Sequence, residues 1–143
     1  MILISHRGNL DGPNKDKENS PEYLNKAIAL GYDVEVDVWY VTHKIYLGHD
    51  FPQYEVDEDY IKQISNSAWF HCKNFEALEF FSRSSYNYNY FWHENDRFTL
   101  TSKGFLWTYP GEKTSDKSVI VDLLLDAKQN NHKSYAICSD YVL

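Results

Sequence analysis

The segment from Asp33 to Asp50, DVEVDVWYVTHKIYLGHD, constrains this chain more than any other. Its first half alternates valine with acid, and successive side chains of a strand point to opposite faces. Val34, Val36 and Val38 therefore share one face, suited to covering helices, while Glu35 and Asp37 project together from the other. Two neighbouring carboxylates repel unless a cation, a proton or a basic residue offsets them. Any fold built on this strand must supply that offset, and a metal ion is the first candidate.

The chain has 143 residues, which fits one domain with a moderate core, so residues 1–143 are read as a single compact unit. Hydrophobic residues make up 43% and aromatic residues 17%, which argues for a folded protein over a disordered one. The net charge of -7 argues against a broad nucleic-acid-binding face but leaves room for a local basic pocket around one phosphate. The apolar start at Met1 to Ile4 is broken by His6 and Arg7, too early for a signal peptide or a membrane span. A soluble cytoplasmic or otherwise intracellular protein is the resulting expectation. Cys72 and Cys138 do not make a zinc signature and read as buried free thiols.

Local signals divide the chain into alternating elements. Ile2 to Ser5 reads as a strand, and Asn19 or Ser20 caps a helix that starts near Pro21 and stops at Gly31. Strands are expected over Tyr32 to Tyr40 and Lys44 to Leu47, then a helix over Val56 to Ile64. A strand over Trp69 to Cys72 and a helical face with Phe75, Leu78 and Phe81 follow. Tyr88 to Trp92 and Phe105 to Thr108 read as strands, Ser115 to Ala127 as a helix, and Tyr135 to Cys138 as the last strand. Between His93 and Gly104 the pattern is ambiguous, with Phe98 and Leu100 able to form a small strand. This order predicts an α/β protein with parallel strands. A full (β/α)8 barrel commonly uses about 250 residues, so the chain fits a reduced or incomplete TIM-like (β/α) barrel, an open barrel-like sheet, or another α/β fold.

Several strand ends carry reactive side chains. His6-Arg7-Gly8 follows the first strand: His6 can move protons near neutral pH, Arg7 can grip a phosphate or carboxylate with two N–H groups, and Gly8 permits a tight turn. His49 is a second acid–base candidate. In His71-x-Lys73 the two side chains share a strand face; His71 can ligate a metal when neutral, and Lys73 can bind a phosphoryl oxygen. Trp69, Phe70, Phe91, Trp92 and Trp107 are read as strand packing, His93-Glu94 as structural or surface, and His43 and His132 as surface residues. Asp140 is read as stabilising the closing rim.

The motifs ISHRGN (Ile4 to Asn9), ENSPEYLNKAIALGYDVEVDV (Glu18 to Val38) and LGHD (Leu47 to Asp50) resemble the glycerophosphodiester phosphodiesterase family. Weaker echoes are FHCK at Phe70 to Lys73, WTYPG at Trp107 to Gly111 and CSDY at Cys138 to Tyr141. The resemblance implies a (β/α)8-type barrel with its site at the C-terminal strand ends. It makes His6 and His49 the catalytic imidazoles, Arg7 a phosphate clamp, Glu35 and Asp37 metal ligands, and Glu18 and Asn19 shapers of the first loop. Lys73 matches the lysine of the family's glutamate-x-lysine pattern, so His71 stands where that family has a third carboxylate ligand. Trp107, at a late strand end, would touch the organic part of the substrate.

The resemblance thus implies a metal-dependent phosphodiesterase acting on a glycerophosphodiester-like or other small phosphodiester through histidine acid–base chemistry. It implies one divalent ion, with magnesium, calcium or manganese favoured by oxygen ligands and zinc kept open by His71. Alternatives are a catalytically weak phosphate- or metal-binding protein derived from the same fold, and a phospholipid phosphodiesterase that recognises a headgroup and forms a cyclic phosphate. Helices lost from a shortened barrel could leave an apolar surface for a second copy, so a homo-oligomer is also considered.

Overall fold

The computed structural model describes residues 1–127 and 133–143, a mixed α/β chain whose sheet curls into a partial barrel. His132 lies outside the described residues. The strands are β1 (Ile2–His6), β2 (Asp33–Val41), β3 (Lys44–Leu47), β4 (Tyr54–Val56), β5 (Ala68–Cys72), β6 (Tyr90–Phe91), β7 (Phe98–Leu100), β8 (Leu106–Thr108), β9 (Ser118–Val121) and β10 (Ala136–Ser139). Three helices accompany them: α1 (Pro21–Ala29), α2 (Glu58–Ile64) and α3 (Phe75–Arg83). Parallel pairing runs β6-β5-β2-β1-β10-β9-β8, and antiparallel β3-β4 and β7 extend it at β2 and β8. The first strand therefore sits beside the last one, which brings the two ends of the chain together. Among the described residues no α-helix follows β6, β8 or β9, so a complete (β/α)8 ring is not what this chain forms.

The alternation read in β2 separates two apolar layers. Val34, Val36 and Val38 join Leu24, Ala27, Ile61, Phe70 and Phe81 in the larger core between the sheet and its helices. Inside the curl, Ile4, Trp69, Phe91, Trp107, Val119, Ala136 and Cys138 fill the barrel floor. Glu35 and Asp37 lie on that inner face, toward the C-terminal ends of the parallel strands. Cys72 and Cys138 are buried free thiols, and burial pushes the Cys72 thiol up to about 12, so it packs as a small apolar group.

Local chemistry explains the element boundaries. The Ser20 side chain accepts the N–H of Tyr23 to cap α1, which settles the choice between Asn19 and Ser20 and frees Asn19 for another partner. Asp57 caps α2 in the same way, so Val56 belongs to β4 and pairs with Ile45 rather than opening a helix at Val56. Trp92, read as strand packing, lies just past β6 and is partly exposed. The helix expected over Ser115 to Ala127 does not form. Ser118-Val119-Ile120-Val121 instead makes β9 between β8 and β10, where a β-branched run packs well on both faces of a curled sheet. Phe98 to Leu100 forms the small strand β7. Among the described residues, no helix is long and apolar enough to cross a membrane.

Gly48 carries the heaviest backbone constraint near the strand ends. Its φ is +151°, its N–H bonds the Asp37 carbonyl, its carbonyl accepts the Trp39 indole N–H, and a Cβ there would lie 2.2 Å from the Phe51 carbonyl oxygen. Backbone atoms cannot yield as a flexible side chain would. Gly48→Ala is expected to destabilise the fold by about 1–3 kcal/mol, the usual cost of a side chain forced into such a conformation. Urea unfolding checks this, and an unchanged midpoint would show that the His49 loop rearranges freely.

Candidate active site and metal centre

The C-terminal ends of β1, β2, β3 and β5 converge on one polar cluster. Arg7, with φ 56°, and Gly8 turn the chain sharply out of β1. The turn is held by Arg7 N–H to the Glu35 carbonyl and by Asn19 N–H to the Arg7 carbonyl, at 3.1 and 3.0 Å. Asn19 then clasps Asp37 from both sides. Its amide donates to Asp37 Oδ2 at 2.9 Å, and its Oδ1 accepts the Asp37 backbone N–H at 3.0 Å. Asp37 is fully buried and Glu35 nearly so, at 0% and 2% exposure.

Burial alone would raise the Asp37 carboxyl, but the neighbouring imidazoles of His49 and His71 and the charge of Arg7 hold it well below the ordinary carboxylate range. Arg7 is shared among several acceptors. Its Nε lies 3.1 Å from Asp37 Oδ2 in an ion pair without hydrogen-bond alignment. One terminal nitrogen reaches Glu18 at 3.3 Å, and the other donates to His49 Nδ1 at 2.7 Å. Two buried carboxylate oxygens have no hydrogen-bond donor: Glu35 Oε2 and Asp37 Oδ1.

Fixed partners set the tautomer of three imidazoles. His6 Nδ1–H donates to Asp140 Oδ1 at 2.7 Å, which leaves Nε2 facing Glu35 Oε2 at 3.8 Å. Arginine can only donate, so His49 Nδ1 accepts and the proton of the neutral ring sits on Nε2. His71 Nε2–H donates to the His93 carbonyl at 2.8 Å, which turns Nδ1 toward Asp37 Oδ1 at 3.1 Å and Glu35 Oε1 at 3.4 Å. Burial opposes charge on His71, yet its hydrogen bonds and Coulombic attraction to Asp37 and Glu35 outweigh that and raise it to about 9.

Glu35, Asp37 and His71 each offer a ligand atom, all within 4.8 Å of one another. The donor set fits a divalent ion on three counts. Two buried carboxylate oxygens lack a hydrogen-bond partner, the His71 Nδ1 atom lies 3.1 Å from one of them, Asp37 Oδ1, and the other ring nitrogen is held by a backbone carbonyl, as metal-bound histidines are.

A cavity of about 540 Å³ opens above this cluster, lined by His6, Arg7, Glu35, His49, His71 and Lys73 on its polar side. Lys73 makes no ion pair with any described residue, so its ammonium is available to an anion in the cavity. The rest of the lining is mainly apolar, with Trp107, Tyr109, Pro110, Val121, Leu123 and Leu124, and includes the polar Glu94, Asn95 and Asp122. Trp107 does two things at once: it packs on Phe91 at 4.5 Å in the inner core and helps line the cavity. All eight residues singled out from the sequence thus surround one space, with Asp37 beneath its floor.

Two contributors lie outside that set. Asp140 stands against His6 rather than merely closing a rim, and Asn9 ties Asp140 Oδ1 to Glu18 through bonds of 2.8 and 2.9 Å. His93 supplies its carbonyl to His71 and lines the cavity, although the sequence reads it as structural or surface. Its position after β6, across β5 from β2, is the signal that would have placed it there. No family model matches this chain, and neither the characterised proteins nor the solved structures include a significant match.

The His71 charge has a thermodynamic consequence in metal-free protein. Its folded value of about 9 lies above the ordinary 6.5, so the stabilisation is fully present below about pH 6.5 and is lost as pH rises toward 9. Chelator-treated protein is therefore expected to lose melting temperature between pH 6.5 and 9. His71→Gln should flatten that slope; the same slope in the variant would place its origin elsewhere.

Proposed function

We propose that this chain is a metal-dependent phosphodiesterase that cleaves a small phosphodiester at the His6–His49–Lys73 cavity. The observation that carries the reading is the combination of two orphaned buried carboxylate oxygens with cations and free imidazole nitrogens around one cavity. The sequence resemblance to glycerophosphodiester phosphodiesterases points the same way.

A divalent ion bound by Glu35, Asp37 and His71 would polarise the phosphate and stabilise charge that builds on its oxygens. The chain's own groups do the rest. Lys73 and Arg7 hold the phosphoryl oxygens. His6 accepts a proton at Nε2 from the attacking hydroxyl, while Asp140 keeps its ring oriented and stabilises the imidazolium. His49 must carry two protons to donate one to the leaving alkoxide, and its bond from Arg7 prevents that. A phosphate that draws Arg7 away frees Nδ1 for Asp37 Oδ2, 3.6 Å distant, and so lets His49 charge. The attacking hydroxyl belongs either to water or to the substrate itself, the second route giving a cyclic phosphate. The apolar wall around Trp107 and Leu123 favours an alcohol with an apolar or aromatic part over bare glycerol.

The test is alcohol release or cyclic-phosphate formation from a panel of phosphodiesters with polar, aryl and alkyl alcohols, with divalent metals titrated. Single His6→Ala and His49→Ala variants are expected to lose about 100-fold or more of kcat while still binding metal. Glu35→Ala should lose turnover and metal together. Unchanged turnover without either histidine would refute the acid–base assignment. Saturable metal and phosphate binding without turnover on any diester would favour the binding-protein alternative.

Asp140→Asn keeps the size of the side chain but weakens its grip on the His6 N–H. It is expected to lower kcat by about 10-fold or more with little change in KM, because oriented acid–base groups act in the transition state. Steady-state kinetics on the best diester of the panel checks it; a change confined to KM would show that Asp140 only shapes the cavity.

A further inference from the structure

The ligand set beneath the cavity carries information about which metal it suits. It contains two carboxylates and one imidazole, and each is constrained. Asp37 is clasped by Asn19 and Arg7, which leaves Oδ1 as its unpartnered atom. Glu35 leaves Oε2 unpartnered in the same pocket. His71 cannot turn its ring over without giving up the bond from Nε2–H to the His93 carbonyl, and its stack on Phe91, where the rings are 5.1 Å apart and 8° from parallel, holds the plane of the ring. Nδ1 is therefore presented as a ligand rather than adapting as one, and the carbonyl behind it increases its donor strength.

Charge supports the same conclusion. Two buried carboxylates and a neutral imidazole sum with a dication to zero, and the Arg7 charge beside Asp37 is offset by Glu18. Magnesium demands near-octahedral oxygen ligation and calcium six to eight oxygens, whereas imidazole suits zinc and its neighbours. Three protein ligands with a position left toward the substrate is also the usual form of a catalytic zinc site. The two cysteines do not compete, since both are buried in the packing.

We infer that Glu35, Asp37 and the His71 Nδ1 atom form a mixed oxygen–nitrogen site that selects a borderline transition metal, zinc foremost, over magnesium and calcium, with His71 as the residue that sets the selectivity. The inference rests on the phosphodiesterase reading only in sharing its metal site, and binding alone tests it.

Manganese serves as the probe. Pulsed electron paramagnetic resonance of Mn²⁺ bound to the wild-type chain is expected to show the nitrogen coupling of a directly bound imidazole, and Glu35→Gln should lose that bound ion. In competition by calorimetry, zinc should displace manganese at near-stoichiometric amounts, while magnesium and calcium should need about 100-fold more or fail. His71→Glu should abolish the nitrogen coupling and narrow the zinc-to-magnesium affinity ratio by about 10-fold or more, the usual weight of a ligand-shell change. Bound manganese without nitrogen coupling, or an affinity ratio unmoved by His71→Glu, would overturn the inference. The wild-type spectrum decides even if the variant fails to fold. Diester turnover in the same preparations separates the two readings: magnesium-supported turnover without nitrogen coupling overturns the metal assignment and leaves the phosphodiesterase standing. Absence of any bound divalent ion overturns both.

Discussion

The structure depends on how the Asp37 carboxylate is accommodated. A charged group with no solvent exposure costs several kcal/mol unless its surroundings replace water. Here the replacement comes from four separate places in the chain: Arg7 after β1, Asn19 before α1, His49 after β3 and His71 near the end of β5. One buried charge thus ties together the strand ends that surround the cavity. The same arrangement leaves Oδ1 and the neighbouring Glu35 Oε2 without a hydrogen-bond partner. The stabilising role and the candidate ligand role belong to one group of atoms.

What could be read in the sequence was whatever depends on local periodicity. The valine–acid alternation of β2 placed Val36 in the outer core and Glu35 on the inner face, and Pro21 and Gly31 bracketed α1 to within two residues. The convergence of His6, Arg7, His71, Lys73 and Trp107 follows from parallel strands that end at the same side of the sheet, and His49 joins them because antiparallel β3 returns to the level of Asp37. The errors came where neighbours decide. Ser118 to Val121 has no alternation to mark it as a strand, because both faces of β9 are covered, and a continuous apolar run fits a helix equally well. The Asp140–His6 bond spans 134 positions and exists only because β10 pairs beside β1. Tautomers were equally invisible, since each depends on a partner from another element.

The shortened barrel divides its work unevenly. Helices pack against β2 and β5, and these strands with the adjoining β1 carry His6, Arg7, Glu35, Asp37 and His71. The helix-poor arc of β8, β9 and β10 carries the apolar wall and Asp140. That partition suits a site in which charged groups need rigid support and the organic part of a ligand needs only shape. It also explains how so short a chain keeps a cavity of useful size: the inner floor is filled with a few large rings rather than with layers of side chains from eight complete repeats.

Those rings link packing to chemistry. Trp69 meets Trp107 at 6.0 Å, Trp107 meets Phe91 at 4.5 Å, and Phe91 stacks against the imidazole of His71. Each aromatic contact is worth about 0.5–1.5 kcal/mol beyond area burial, enough to bias a ring that would otherwise rotate about its Cβ–Cγ bond. The floor of the barrel therefore fixes the plane of the His71 ring, and the bond to the His93 carbonyl decides which nitrogen faces Glu35 and Asp37. A carboxylate in the same place would need no such orientation, because its two oxygens are equivalent. An imidazole does need it, and the aromatic column with a carbonyl at its end supplies it. The inner core thus sets the plane of one member of the candidate metal cluster, and packing and site chemistry share that ring.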